Sequence, residues 1–461
     1  MPNCRRMLVL ALALCFDAGC DAGAAEPMAT VVQPSAAEGW KILRTSRFLP
    51  ADFDDEVFDQ LWTVWPEPER SAAEALPPEA RRKLQFEYYG LVPEADDPEC
   101  RKLPIGYVSD GNHGWVMSCL ACHGGTVAGQ VIPGMGNSHY ALQTLTDDVR
   151  AVKLKLKKRL THMDLGSLSF PLNMTNGTTN AVIFGVLLGA LRKPDMSVDF
   201  RHPARNVVHH DVDAPPYWNV KKKTSLYIDG FSPKTHRPLM QFMLIPQNTR
   251  EIVYGWEDEF RHIEAWIESV AAPRYPFAID ADRSERGQRV YNANCARCHG
   301  TGGPDGKYQQ QTIPIDDIGT DRVRLDALTV EHRQWMQRSW MSRYGEDHVE
   351  VDPQGYVAPP LDGIWASGPY FHNGSVPTLW HVLHPDQRPA VWKRTRDGYD
   401  QVRVGLEVQE FPEIPEEAVH PAQRRRYFDA SLPGKSTAGH DYPAALSEEE
   451  KADLLEYLKS L

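Results

Sequence analysis

Spare cysteine, excess positive charge and long apolar runs are all missing from this 461-residue chain. Of its 8 cysteines, four stand in two C-x-x-C pairs, and Cys4, Cys15 and Cys20 fall in the first stretch of the chain. Only Cys100 is left over, so disulfides cannot hold this fold together. Cys100 reads as a small buried apolar residue. A formal net charge of −12 argues against nucleic acid as a general partner. Past the N-terminus no segment reaches the ~18 consecutive apolar residues of a membrane helix. That excludes a helical transmembrane span in the mature chain.

The N-terminus reads as an export signal. Arg5 and Arg6 precede the apolar run from Met7 to Phe16, and small residues follow at Ala22-Gly23-Ala24-Ala25. We assign residues 1–25 to this signal, which puts the protein in the periplasm or otherwise outside the cytoplasm. Ala18-Gly19-Cys20 also fits the end of a lipoprotein signal, in which Cys20 would carry a lipid anchor. Removing residues 1–25 takes away Arg5, Arg6, Asp17 and Asp21, so the exported form keeps the charge of −12.

What the chain does have is Cys119-Leu120-Ala121-Cys122-His123 and a second copy, Cys295-Ala296-Arg297-Cys298-His299. C-x-x-C-H is the attachment signal for c-type haem. Two thiols one turn apart form thioethers to one porphyrin, and the adjacent imidazole reaches the iron. Chance at this composition would yield about 0.005 copies. A structural zinc site could use two C-x-x-C pairs but needs no His after each. A thioredoxin-like dithiol gains nothing from a duplicate. Two covalent haem c groups follow, and attachment outside the cytoplasm agrees with the export signal.

The fold class expected is mostly α, with two tandem class I-like cytochrome c domains and long irregular loops. The Pro-containing stretch at Ala272-Pro273-Arg274 divides an N-terminal haem domain, residues 26–272, from a C-terminal one, residues 273–461. Residues 26–110 carry no strong periodicity and read as short helices and loops. An amphipathic helix is expected over residues 147–160. Its basic end, Lys153 to Arg159, reads as a solvated face or a docking patch for an acidic redox partner. In the C-terminal half, a helix through Gly287 and Tyr291 delivers Cys295. Ser447 and Glu450 form a capping box before a last helix with a Leu454, Leu455, Leu458, Leu461 stripe. Gly287 suits a close crossing of these first and last helices.

Function turns on the sixth position of each iron. Two strong protein ligands leave a haem that only moves electrons, whereas an open face binds peroxide or dioxygen. Residues 359–375, centred on Tyr370-Phe371-His372-Asn373-Gly374, resemble the dihaem cytochrome c peroxidase and MauG superfamily, most closely its rubber oxygenase-like branch. The loops at residues 176–180 and 215–218 carry the same resemblance. The family's peroxidases place a Met ligand downstream, where this chain has Asp386. The branch resemblance instead implies His372 opposite His299, with His381 and His384 as substitutes. For the first haem it implies a face that is open or weakly held by Met135, with His139 as the other candidate. It also implies an aromatic relay, for which Trp218 is the choice, and a calcium ion between the domains that no motif here marks. A peroxidase also needs a carboxylate over the haem; the 176–180 loop has none.

The sequence thus supports an exported dihaem oxidoreductase, its first haem activating peroxide or dioxygen and its second transferring electrons. Its partner would be a small redox protein or a quinol-linked donor. The alternative is a non-enzymatic dihaem electron carrier.

Overall fold

The computed structural model describes residues 33–461 apart from 202–203, 304–305 and the side chains of 396–397. The export signal and Cys20 lie outside the described residues. Helices predominate: the long ones are α1 (Ala36–Thr45), α2 (Pro78–Tyr89), α3 (Leu142–Lys155), α4 (His162–Ser169), α5 (Ala181–Ala190), α6 (Glu257–Ser269), α7 (Ala281–Asn294), α8 (Val330–Arg338) and α9 (Glu448–Lys459).

Two helix crossings organise the packing, α1 on α6 and α7 on α9. Each is built on a glycine. A Cβ added at Gly39 would stand 2.0 Å from the carbonyl oxygen of His262, and one at Gly287 would stand 2.0 Å from that of Asp453. Only a residue without Cβ permits such an approach. Gly287 therefore does what its position suggests, and Gly39 repeats the device near the start of the chain. Ser35 caps α1 by accepting from the Glu38 amide, and the helix buries Ile42 and Leu43. α9 opens on the Ser447–Glu450 capping box and buries Leu454, Leu455 and Leu458.

Small antiparallel sheets fill the spaces between helices. β1 (Phe53–Asp54), β2 (Tyr107–Ser109) and β3 (Gly114–Met117) run in the order β1-β3-β2 and lead into Cys119. β4 (Val391–Asp400), β5 (Gly405–Phe411) and β6 (Tyr427–Asp429) form a second sheet in the order β5-β4-β6. This hairpin is a departure from the expected loops. A register shift between Arg394 and Tyr399 breaks its alternation and hides it from a period-of-two reading.

α3 begins earlier than residues 147–160 and ends at Lys155, just before Lys157 turns to a φ of 56°. Of the basic stretch, Lys155, Lys157 and Arg159 are exposed, as a solvated face requires, while the other two lysines are engaged by carboxylates. Lys153 is buried and pairs with Asp164 at 2.5 Å, while Lys158 reaches Asp54 at 2.5 Å and Glu56 at 2.6 Å. These contacts correct both the solvated-face and the docking-patch readings for those two lysines.

Apolar side chains exchange between the halves. Leu328, Met336, Trp340 and Met341 join the core around α1, α5 and α6. Val127, Met135 and Trp218 join the core around α7 and α9. Residues Pro34–Leu461 form one compact unit.

Candidate haem sites

Both C-x-x-C-H segments close short helices, Leu120–His123 and Ala296–His299. Their six cysteine and histidine side chains line one cavity of about 920 Å³. That is the top of the range for a small-molecule site. All four cysteines are free of disulfides. Each histidine is held from behind in the same way. His123 Nδ1 donates to the Pro215 carbonyl at 3.1 Å, and His299 Nδ1 donates to the Pro359 carbonyl at 2.7 Å. A carbonyl only accepts, so Nδ1 carries the hydrogen and Nε2 keeps its lone pair for a metal. Burial pushes His123 down to about 4 and lowers His299, which keeps both rings neutral. The two acceptors sit in a repeated tripeptide, Ala214-Pro215-Pro216 and Ala358-Pro359-Pro360. That repeat is legible in the sequence and was the available signal for the brace.

On the far side of His299 lies a residue that the motifs did not flag. The His440 ring centroid stands 6.1 Å from that of His299, the rings inclined at 64°. Two metal–nitrogen bonds of about 2 Å, with about 1 Å from each ring centre to its nitrogen, need ring centres about 6 Å apart. His440 lines the cavity, its Nδ1 is buried without a partner, and burial pushes it down to about 3. His372 also lines the cavity with a buried, partnerless Nε2. Its ring centroid lies 4.5 Å from that of Tyr356, and burial, then the charges of Arg324 and His210, push it down to about 3. His381 lies on the short helix Leu379–Leu383 and His384 is its C-cap, as a helix reading expects, but both are buried rather than at the surface, 1% and 3% exposed. His384 uses both nitrogens, on Trp380 O at 2.7 Å and Glu448 at 3.0 Å, and His381 Nδ1 bonds Thr378 at 2.7 Å.

Around the first motif, the ring stacked on His123 is that of Tyr217, 4.2 Å between centroids and inclined at 18°. The turn carrying Met135 is tied to this same side. The Gly134 amide donates to the His123 carbonyl at 2.7 Å, and the Gly134 carbonyl accepts from the Tyr217 amide at 2.7 Å. Met135 is 3% exposed, packs in the core around α7 and α9, and does not line the cavity. Its placement on the His123 side favours packing over weak ligation, the two roles open to it. His139 likewise stays outside the cavity lining. The other wall comes from α4 and α5, through Met163, Gly166, Phe184, Leu187 and Leu188. Thr179 of the 176–180 loop joins it beside Cys122.

Trp218 is buried at 1% exposure, and its indole Nε1 donates to the Asp362 carbonyl at 2.7 Å. Pro215 to Trp218 and Pro359 to Asp362 thus link the braces behind both histidines. Other orphaned groups fit bound porphyrin. Lys223 lines the cavity with burial pushing its amine down to about 8, and the buried oxygens Thr235 Oγ1, Asn219 Oδ1 and Thr320 Oγ1 border the cavity without partners. A half-buried ammonium facing an apolar cavity calls for an anion, the role of a propionate. Among the described residues no group of three or more His, Cys, Asp and Glu side chains gathers to hold a calcium or other metal ion. No helix among them is long and apolar enough to cross a membrane.

These features define c-type cytochrome domains that bind haem c covalently and carry redox chemistry. Family comparison agrees. Residues 355–393 match the RoxA-like, cytochrome c-like model, and residues 282–338 match that of cytochrome c oxidase, cbb3-type, subunit III. The matches are consistent with the dihaem MauG/RoxA-like superfamily, the resemblance carried by residues 359–375. Two curated relatives come from Sinorhizobium fredii (strain NBRC 101917 / NGR234). Uncharacterized protein y4iM is 29% identical over 234 residues, covering 42% of this chain and 52% of its own. Uncharacterized protein y4iJ is 36% identical over 257 residues, 41% of each chain. The chain thus spans about half or less of the length of the curated relatives it matches. A MauG-like protein associated with microbial copper homeostasis aligns at 16% identity and a TM-score of 0.29, covering 60% of this chain and 89% of its own. Kuenenia stuttgartiensis hydrazine synthase aligns at 15% identity and 0.27, covering 66% and 94%. Superpositions this loose support no argument from fold.

Proposed function

We propose that the protein is an exported dihaem oxidoreductase in which the haem on His123 activates peroxide or dioxygen and the haem on His299 transfers electrons. Bound haem c supplies iron that cycles between oxidation states and, with one face free, takes up a small oxidant. The chain's own residues set which iron does which. His123 and His299 present Nε2 from fixed tautomers, each held by a prolyl carbonyl. At the second site we place His440, rather than His372, opposite His299, because its ring stands one metal's width away. The Nε2 of His372 then serves as a donor at the haem edge. At the first site the ring against His123 is Tyr217, on the same side, and the opposite wall is the apolar α4–α5 surface. Trp218, bonded across to Asp362, is the aromatic group between the two sites. A small redox protein or quinol-linked donor would supply electrons.

The single observation carrying this reading is the asymmetry: a histidine at 6.1 Å from His299 and a stacked tyrosine behind His123. Frozen-solution electron paramagnetic resonance on the holoprotein tests it. We expect one low-spin haem and one that shifts on adding cyanide. His440→Ala should convert the low-spin haem to a ligand-accessible one, and His372→Ala should not. The reverse outcome would return the sixth position to His372. Two haems inert to cyanide, carbon monoxide and peroxide would leave a plain electron carrier.

A further inference from the structure

We propose that Asp52 and His162 form a proton-transfer couple at the open face of the first haem site, serving a protic oxidant, hydrogen peroxide. This rests on the reading that the His123 haem has a free face. His162 opens α4 and lines the cavity, and both its ring nitrogens are buried without a partner. Its Nε2 stands 3.8 Å from Asp52 Oδ1, which is also buried and partnerless; Asp52 is 6% exposed. Buried polar atoms nearly always find partners, so three orphans on two facing side chains beside a cofactor cavity call for a role.

The couple is anchored to the first site. The Asp52 carboxylate accepts from the backbone of Met117, two residues before Cys119, and the Asp52 amide donates to the Trp115 carbonyl at 2.7 Å. Asp52 itself does not line the cavity and reaches it through His162; the two acids that do line it, Asp213 and Glu264, lie elsewhere on its wall. Asp213 sits two residues before Pro215, and Glu264 is on α6, whose Trp266 meets the Tyr217 ring edge-on at 6.0 Å. His162 instead belongs to the α4–α5 wall.

The surroundings keep the ring neutral and bring the carboxyl close to neutral pH. Asp52 faces Lys153 of α3, Asp164 of α4 and the phenols of Tyr107 and Tyr140. His162 faces the same Lys153 and Asp164. Burial pushes Asp52 up to about 7 and His162 down to about 4. The ring is therefore a free base at neutral pH, and the carboxyl is poised to ionise. Lys153, paired with Asp164 at 2.5 Å, also donates to the Asp52 carbonyl at 2.5 Å and fixes the frame.

In the step, an O–H bond of the peroxide breaks and an N–H bond forms on His162. The electron pair stays on oxygen and no electrons change hands. The imidazolium faces the Asp52 carboxylate until it returns the proton to a peroxide oxygen, which restores the couple.

Cyanide and carbon monoxide separate this role from others, because hydrogen cyanide sheds a proton on binding and carbon monoxide does not. On the holoprotein, His162→Gln should slow cyanide association by about 10²-fold, and Asp52→Asn should slow it by several-fold. Carbon monoxide association with the ferrous protein and the resting absorption spectrum should stay as in wild type. Unchanged cyanide rates in both variants would overturn the proposal while leaving the open face standing. A spin-state change in resting His162→Gln would overturn it too, by placing that ring on the iron. A wild-type protein that binds no carbon monoxide would remove the open face and the couple together.

Discussion

Replacing Gly287 by alanine tests the α7–α9 crossing on which the second haem site is built. The new Cβ would stand 2.0 Å from the Asp453 carbonyl oxygen, 2.6 Å from its carbon and 2.9 Å from the Tyr457 Cβ. Two of these neighbours are backbone and cannot swing aside, so the helices must separate by about 1 Å. Overpacking of this kind costs about 1–3 kcal/mol. The better helix propensity of alanine returns about 1 kcal/mol. The net expectation is a loss of up to about 2 kcal/mol, read as a lower denaturant midpoint at unchanged slope. Gly39→Ala should behave alike, since its Cβ would meet His262 O at 2.0 Å and Trp266 Cβ at 2.9 Å. Gly255 is the control, a helical glycine with nothing within 4 Å of the added methyl. There alanine should stabilise by about 0.5–1 kcal/mol. A Gly287→Ala protein as stable as Gly255→Ala would refute the close crossing.

Stability should also fall in acid, for a reason that can be assigned. His210 and His372 are each held at about 3 against an ordinary 6.5, chiefly by burial and then by Arg324. Their folded values are depressed, so the unfolded chain takes up protons that the folded one refuses. Stability is whole above about pH 6.5 and declines toward pH 3, by about 1.4 kcal/mol per pH unit for each ring. Urea midpoints from pH 7 down to about pH 5 measure the slope, and His210→Asn should lower it. Lys153→Met should be severe, since it strands Asp164, 0% exposed, without its 2.5 Å partner. Breaking a buried pair from one side costs about 3–5 kcal/mol. The double variant Lys153→Met, Asp164→Leu should recover much of that by thermal melting.

What could be read without coordinates was whatever is encoded locally. The two C-x-x-C-H pentapeptides, the Ser447–Glu450 capping box and the leucine stripe of α9 all occupy a few consecutive residues, and their physics is self-contained. α1 was equally local, with Ser35 capping Glu38 ahead of Ile42 and Leu43, but Pro- and Trp-rich surroundings masked it. His440 was beyond sequence reasoning for another reason. It sits 141 positions after His299 in a short Gly439-His440 turn, and nothing nearby marks it as a ligand. The same holds for Asp52 and His162, which meet only because Lys153 and Thr161 bond the Asp52 carbonyl beside the start of α4. The role of Met135 was open for a similar reason, since a turn's sequence says nothing about which face of a ring it will lie on.

The exchange of side chains between the two cores bears on how the chain can be made. Leu328, Met336, Trp340 and Met341 close a core begun three hundred residues earlier, while Val127 and Trp218 wait for α9 at the far end. The first core cannot be completed until Val349 has emerged, and the second waits for α9 at the end of the chain. Both cysteine pairs consequently stay within reach of the attachment machinery until late, and a truncation near residue 273 would strand apolar surface on each fragment rather than yield two working cytochromes.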